Sequence, residues 1–158
     1  MNLKVIQFIA CFLLMLVTGV FWGTWFSQSR SMEVFSAEEF IHIGKTIIAN
    51  LAVPMRIIMP LCILSMLLYL WLYPQKKSTG VYFNVLAFVL IITALLITLL
   101  VEVPIDNQIK EWTASSVPSD WEAIRDRWEF FHTLRTFASL TSFGSLAIAI
   151  LLQDKSVK

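Results

Sequence analysis

Charged residues are scarce in this chain. Only 15% of its 158 residues are Asp, Glu, Lys or Arg, and 58% are hydrophobic, whereas an ordinary soluble domain carries about 25% charged residues. A chain this short cannot bury so many apolar side chains in one core, because surface dominates volume at this size. The composition therefore excludes a soluble globular domain and predicts that apolar surface faces lipid.

Glycine, proline and cysteine are also rare. The five Gly and five Pro residues form no low-complexity tract, which excludes intrinsically disordered, linker and collagen-like chains. Cys11 and Cys62 lie inside apolar runs without metal-ligand spacing, and they are interpreted as small buried hydrophobic residues. The net charge of +1 provides no basic stripe, so nucleic acid is not expected as a partner.

Long apolar runs are present instead, and four of them can cross a hydrocarbon core about 30 Å thick as α-helices. They cover about residues 3–26, 53–73, 81–105 and 131–152. With short links, these runs predict an all-α fold, a four-helix transmembrane bundle with both termini on one side. Residues 1–158 are expected to form this single domain, and the lipid bilayer is an expected partner.

Lysines are concentrated on the side of the termini. Five of them lie close to span ends: Lys4, Lys76, Lys77, Lys155 and Lys158. The opposite side is rich in acidic residues, so the positive-inside rule places the lysine-rich side in the cytoplasm. The chain is therefore predicted to be an integral protein of the plasma or inner membrane with both termini cytoplasmic.

The two longer links, on the side opposite the termini, are predicted to contain helix. Ser36 and Glu39 have the spacing of a capping box, so a short amphipathic helix is expected to begin there and run toward the second span. Pro54 and Pro60 are expected kink points. No helix breaker follows Asp120, which predicts a fourth helix about 50 Å long that projects from the membrane.

Polar and aromatic side chains form a stripe on this fourth helix. At 100° per residue, six residues fall in a band roughly 80° wide: Trp121, Arg125, Trp128, His132, Arg135 and Ser139. Such a stripe is costly against lipid, so it is predicted to face the bundle interior or an aqueous cavity. A purely structural role for the stripe is an alternative, because nearby acidic side chains can pair with Arg125 and because Arg135 can extend to the membrane interface.

Glu102 ends the long apolar run of the third span. Counted as helical rise, Glu102, His132, Arg135, Arg56 and Trp22 reach similar depths of about 25–32 Å. Side chains from all four helices therefore converge near the outer mouth, where apolar walls and a few polar groups suit a small aromatic or lipophilic ligand. Glu102 paired with Arg135 or Arg56 in a structural ion pair is an equal alternative.

Metal binding is a competing use of the same side chains. His132, Glu102 and His42 are the candidate ligands, and Glu129 lies three residues before His132. Di-metal bundles need this Glu-x-x-His spacing on two helices, and it occurs once here. Neither a metal nor another cofactor is therefore predicted.

The segment around the fourth helix resembles a known family. Its pattern consists of Glu102-Val103-Pro104-Ile105-Asp106-Asn107, Trp112, Pro118, Asp120-Trp121, Arg125-Asp126-Arg127-Trp128 and His132-Thr133-Leu134-Arg135. It is similar to the anthrone-oxygenase-like integral membrane proteins from about Val101 to Leu140, and mainly hydropathy is shared elsewhere. Asp106 stands where members commonly have Asn. The resemblance implies a multi-pass bundle and, for a few members, oxidation of an anthrone to an anthraquinone by O₂ without a recognised metal or flavin.

The resemblance leads to a catalytic hypothesis. His132 would remove the acidic proton of an aromatic ketone, since imidazole titrates near neutral pH. Arg135 or Arg125 would stabilise the resulting anion, and Glu102 and Asn107 would orient these groups. The side chains expected to bind or orient the substrate are Asn107, Trp121, Arg125 and Trp128.

A non-enzymatic function is the alternative. A lipid-binding or accessory membrane protein would use the stripe only to hold the bundle together. Substitutions in the stripe would then lower stability without abolishing ligand binding. The oligomeric state is left open, because small residues on the fourth span permit close contacts within or between protomers.

Overall fold

The computed structural model describes residues 2–74 and 76–154, and it contains only helices and turns within these ranges. The five α-helices are α1 (Leu3–Ser27), α2 (Ala37–Leu72), α3 (Thr79–Ile97), α4 (Val103–Glu111) and α5 (Trp121–Asp154). A 3-10 helix, Ser29–Val34, follows α1, and a π-helical turn, Thr98–Glu102, joins α3 to α4. Lys155 and Lys158, used above to predict orientation, lie outside the described residues.

Four helical segments of the described chain are long and apolar enough to cross a membrane. They are Leu3–Ser27, Ala37–Leu72, Thr79–Glu111 and Trp121–Gln153. Large exposed apolar side chains are numerous on these segments, as lipid-facing surfaces require. The predicted all-α, multi-pass membrane bundle is therefore confirmed.

The expected capping box begins α2. The Ser36 hydroxyl accepts from the backbone N–H of Glu39 at 3.4 Å, and the Glu39 carboxylate accepts from the backbone N–H of Ser36 at 2.8 Å. The amphipathic segment then continues into the second span as one helix of 36 residues, which passes through Pro54 and Pro60. Each proline removes one backbone hydrogen bond, and this loss does not end the helix.

A buried polar network lies at the end of the bundle where α1 begins and α5 ends, named the terminal end below. Gln7 Nε2 donates to Gln153 Oε1 at 2.7 Å and to Tyr69 Oη at 3.1 Å, and Tyr69 Oη donates to Gln153 Oε1 at 2.8 Å. Nearby, Tyr73 Oη donates to the Ala149 carbonyl oxygen at 3.0 Å. These bonds place the beginning of α1 and the end of α5 together, as the four-span topology predicts.

The opposite end of the bundle, named the distal end below, contains an apolar cluster. This distal cap consists of Met32, Phe40, Ile41, Ile105, Ile109, Trp112 and Trp128, all buried. It joins the 3-10 helix, α2, α4 and α5. The 34 residues of α5 confirm the long fourth helix and bring its first turns into the cap.

Candidate functional site

The polar stripe of α5 faces the bundle interior, as predicted. Arg125, Trp128, His132 and Ser139 are buried, and the Arg135 side chain is 11% exposed. A buried stripe that contains charged residues needs polar partners from the other helices. The neighbouring helices supply them mainly around Arg135.

Arg135 connects three helical segments. Its Nε and Nη2 donate to His132 Nδ1 at 3.1 and 2.9 Å, and its Nη1 donates to Thr98 Oγ1 at 3.1 Å. Nη2 also lies 2.9 Å from Glu102 Oε2. The guanidinium carbon lies 4.7 Å from the centre of the Phe21 ring on α1. The residues of this Arg135 site therefore come from α1, the π-helical turn and α5.

The structure brings Glu102 to Arg135 and leaves Arg56 elsewhere. Arg56 is exposed, and its Nε donates to the Ala52 carbonyl oxygen of its own helix at 3.1 Å. Trp22 is 38% exposed on α1. Of the two alternative partners expected for Glu102, the structure therefore supplies Arg135, because equal helical rise fixes depth but not the face of the helix.

Two buried side chains of the site have atoms without a hydrogen-bond partner in the described structure. They are both carboxylate oxygens of Glu102, which is fully buried, and Nε2 of His132, which is 1% exposed. The 2.9 Å contact between Glu102 and Arg135 has the distance of an ion pair without the angle of a hydrogen bond. Leaving such groups unpaired costs about 1–3 kcal/mol each, more for a charged group, so a bound ligand is one explanation for their arrangement.

The contacts of His132 define its tautomer. Arginine has donors and no acceptor, so His132 Nδ1 must accept from Arg135 and carries no hydrogen. In the neutral ring the hydrogen is then on Nε2. The unpaired nitrogen of His132 is therefore an N–H donor, and this geometry favours donation to a ligand over the removal of a proton.

Trp128 forms an aromatic wall beside this donor. Its ring stacks on the His132 ring with centroids 4.8 Å apart and an interplanar angle of 17°. Its Nε1 donates to Asp106 Oδ1 at 3.3 Å. Asp106 therefore contacts the site through Trp128.

The π-helical turn presents Glu102 to the bundle interior. Pro104 has no N–H to donate to the preceding turn, which favours a wider turn before it. Thr98 begins this turn, and its hydroxyl donates to the Ala94 carbonyl oxygen at 2.9 Å while accepting from Arg135. Thr98 was not predicted from the sequence. Its residue type gives no signal, but its position about one helical turn before Glu102 indicates that the two side chains lie near each other.

Three other predicted site residues make different contacts. Asn107 is exposed and accepts from Lys110 Nζ at 2.9 Å. Arg125 donates to Asp126 Oδ1 from Nε and Nη2 at 2.9 and 2.8 Å, and its guanidinium carbon lies 5.2 Å from the centre of the Trp121 ring. None of these contacts involves the Arg135 site, and the binding roles of these residues stay predictions.

His42, the third candidate metal ligand, is also outside the Arg135 site. It is exposed and lines an open depression at the distal end with Glu38, Lys45 and Trp112. Lys45 Nζ donates to the Trp112 carbonyl oxygen at 2.7 Å there. Across residues 2–74 and 76–154, no three His, Cys, Asp or Glu side chains are grouped as metal ligands.

The fold and the Arg135 site define a multi-pass membrane protein with a buried cluster of polar side chains near one end of its helical bundle. A family model described as anthrone oxygenase matches residues 49–145, more than half of the chain. The protein therefore belongs to the anthrone oxygenase family, and the matched range includes Glu102, His132 and Arg135. No curated protein and no solved structure matches the chain.

Proposed function

We propose that the protein is a cofactor-independent oxygenase that acts on a flat aromatic ketone of the anthrone class at the Arg135 site. The carrying observation is a buried carboxylate that is ion-paired with Arg135 but accepts no hydrogen bond, together with a buried N–H donor that has no acceptor, beside a stacked tryptophan. Membership of the anthrone oxygenase family supports the substrate class.

Glu102 is the general base in this proposal. Its carboxylate is ion-paired with Arg135 through Oε2 but accepts no hydrogen bond, so Oε1 has lone pairs available to take the proton from the ring CH₂ of the ketone. The electron pair of the broken C–H bond moves into the ring system and onto the ketone oxygen. Glu102 replaces His132 in this role, because His132 Nδ1 is already an acceptor for Arg135.

His132 and Arg135 stabilise the charge that develops on the ketone oxygen. The Nε2–H of His132 donates to that oxygen, and the Arg135 guanidinium supplies a positive charge in a buried environment, where electrostatic interactions are strong. Trp128 packs against the flat ring system and aligns it. These three side chains therefore favour the anion over the neutral ketone.

Molecular oxygen is the oxidant. The anion adds to O₂ through a new C–O bond, and the proton on Glu102 passes to the terminal oxygen to form a hydroperoxide. Glu102 then removes the second proton from the same carbon, the O–O bond breaks, and the departing hydroxide combines with that proton. One ketone and one O₂ give one quinone-type product and one water.

Oxygen uptake by the detergent-purified protein with anthrone tests this proposal. Glu102→Gln keeps the size of the side chain and removes the base, so we expect uptake to fall about 100-fold or more. Glu111→Gln, at an exposed position of α4, is the matched control and should retain wild-type uptake. Absence of uptake by folded wild-type protein would overturn the proposal and favour a lipid-binding or accessory protein. Full uptake by Glu102→Gln would overturn the assignment of Glu102 as the base.

A further inference from the structure

We infer that the ligand reaches the Arg135 site from the lipid phase, between α1 and α5. The route is a seam formed by Phe21 and Trp25 of α1 with Thr133 and Phe137 of α5. The inference rests on the proposed function for the class of ligand, a flat fused-ring aromatic ketone that partitions into the bilayer. It adds a route and four residues that the catalytic proposal does not use.

The distal cap closes the site toward the distal end of the bundle. Trp128 belongs to this cap and stacks on His132, and Ile105 lies one turn beyond Glu102. Both cap residues are less than 9% exposed. A flat ligand that came through the cap would have to separate α4 from α2 and α5 and expose a packed apolar cluster, which is costly.

At the α1–α5 seam the same site is covered by two aromatic side chains, Phe21, which is 4% exposed, and Trp25, which is partly buried. The Phe21 ring lies directly against the Arg135 guanidinium, with 4.7 Å between the ring centre and Cζ. At this level the side-chain hydrogen bonds between the two helices are Trp25 Nε1 to Thr133 Oγ1 at 2.9 Å and Thr136 Oγ1 to the Phe21 carbonyl at 3.4 Å. Rotation of the Phe21 and Trp25 side chains would therefore expose Arg135 without unfolding a helix.

The surface outside the seam suits a flat aromatic molecule. Trp22 stacks on Trp25 with centroids 5.2 Å apart, and Phe26 stacks on Trp22 at 5.6 Å. Phe137 meets Trp25 edge to face at 5.2 Å. Trp22, Phe26 and Phe137 are 38%, 58% and 47% exposed, so they form an accessible aromatic surface at the level of the buried site. Offset stacking on such rings favours fused aromatic ligands over lipid chains.

Paired cysteines joined by a reducible bifunctional crosslinker test the route. In a Cys11→Ala, Cys62→Ala background, one pair closes the seam (Trp25→Cys with Thr133→Cys). The matched pair closes the distal end (Lys45→Cys with Thr113→Cys), next to the bond between Lys45 and Trp112. The measurement is the rate at which anthraquinone quenches the tryptophan fluorescence of each protein, before and after reduction.

We expect the seam crosslink to slow anthraquinone binding about tenfold or more, and reduction to restore the rate. The distal crosslink should leave the rate unchanged. The reverse pattern, or equal rates with the seam open and closed, would overturn the route while leaving the proposed function in place. Failure of the uncrosslinked protein to bind anthraquinone would overturn both, because the class of ligand would then be wrong.

A single substitution tests the same route without a crosslinker. Trp25→Phe keeps an aromatic ring and removes the hydrogen bond to Thr133, so anthraquinone should bind faster. Trp71→Phe is the matched control, since Trp71 is 72% exposed at the other end of the bundle, between Tyr69 and Tyr73, and its substitution should not change the rate. Equal rates for the two variants would contradict the inferred role of Trp25.

Discussion

Thr98 contributes one hydroxyl group to the Arg135 site, and this hydroxyl makes two hydrogen bonds. It donates to the Ala94 carbonyl oxygen and accepts from Arg135 Nη1. The second bond holds one end of the guanidinium while the other end contacts His132 and Glu102. Thr98 is therefore a positioning residue that acts through Arg135.

Thr98→Val should retain the shape of the side chain and release Arg135 Nη1. A lost hydrogen bond to a charged group corresponds to about 1.5–3 kcal/mol, so we expect kcat for oxygen uptake to fall about tenfold or more. Thr93→Val is the control, because the Thr93 hydroxyl is exposed and bonds only to the Val89 carbonyl oxygen. Equal kcat values for the two variants would show that the bond between Thr98 and Arg135 does not position the site.

Asp106 and Trp128 provide a second test at the scale of single residues. Asp106→Asn keeps an oxygen that can accept from Trp128 Nε1, so uptake should stay within about threefold of wild type. Asp106→Leu removes this acceptor and frees the Trp128 ring, which stacks on His132. We expect Asp106→Leu to raise KM for anthrone more than Asp106→Asn does. Kinetics of oxygen uptake for both variants would decide this, and equal KM values would contradict the role of the bond.

The charged members of the site could be predicted from the sequence because charges are rare in apolar spans. Glu102, His132 and Arg135 were predicted as site residues for this reason, and the structure brings them together. Thr98 and Phe21 were missed, since threonine and phenylalanine are ordinary residues in membrane helices and give no compositional signal. Their contacts depend on which helix faces which, and helical rise alone does not contain that information.

At the scale of helices, hydropathy located four spans, and the helices that contain them extend beyond the apolar runs. The third span is expected over residues 81–105, and the helical segment that contains it begins at Thr79 and continues through the π-helical turn and α4 to Glu111. Hydropathy reports where the apolar run stops, whereas a helix continues as long as its backbone hydrogen bonds do. The wider turn at Thr98–Glu102 was not predicted either, because a π-helical turn has no hydropathy pattern of its own.

Gly80 fixes the approach of α3 to α5 at the terminal end of the bundle. A Cβ atom at this position would collide with the Tyr73 hydroxyl, which donates to the Ala149 carbonyl oxygen. Gly80→Ala should therefore displace Tyr73 and lower the free energy of unfolding by about 1–3 kcal/mol. Denaturant or thermal unfolding in detergent measures this loss.

Gly144→Ala is the control for this prediction. It lies inside α5, and a Cβ there meets no atom within 4 Å. Alanine is the better helix former by about 1 kcal/mol, so this variant should be as stable as wild type or slightly more stable. A Gly80→Ala protein as stable as the Gly144→Ala protein would contradict the close packing of Tyr73 on α3.

At the scale of the whole molecule, the two ends of the bundle contain different groups of buried polar side chains. The terminal end is joined by the hydrogen-bonded network of Gln7, Tyr69 and Gln153, and the distal half contains the Arg135 site, where Glu102 and His132 have atoms without a hydrogen bond. The buried side-chain amide of Asn84 on α3 also has no hydrogen-bond partner in the described structure. Satisfied buried networks stabilise and specify a fold, while unpaired buried groups reduce stability. Because the hydrogen bonds of the Gln7 network do not include the Arg135 site, we expect substitutions in this network to change stability without changing activity.

Gln7→Leu tests this expectation. The substitution removes both bonds that Gln7 donates and leaves Tyr69 bonded to Gln153, so we expect a loss of about 1 kcal/mol for each bond removed. Oxygen uptake per folded molecule should not change, because no bond of the network reaches Arg135. Gln108→Leu, at an exposed position of α4, controls for the change in polarity. Thermal unfolding and oxygen uptake measured on the same preparations give both readouts. If Gln7→Leu lowered uptake as strongly as Thr98→Val, the two ends of the bundle would be coupled, and the Arg135 site would depend on the packing of the whole molecule.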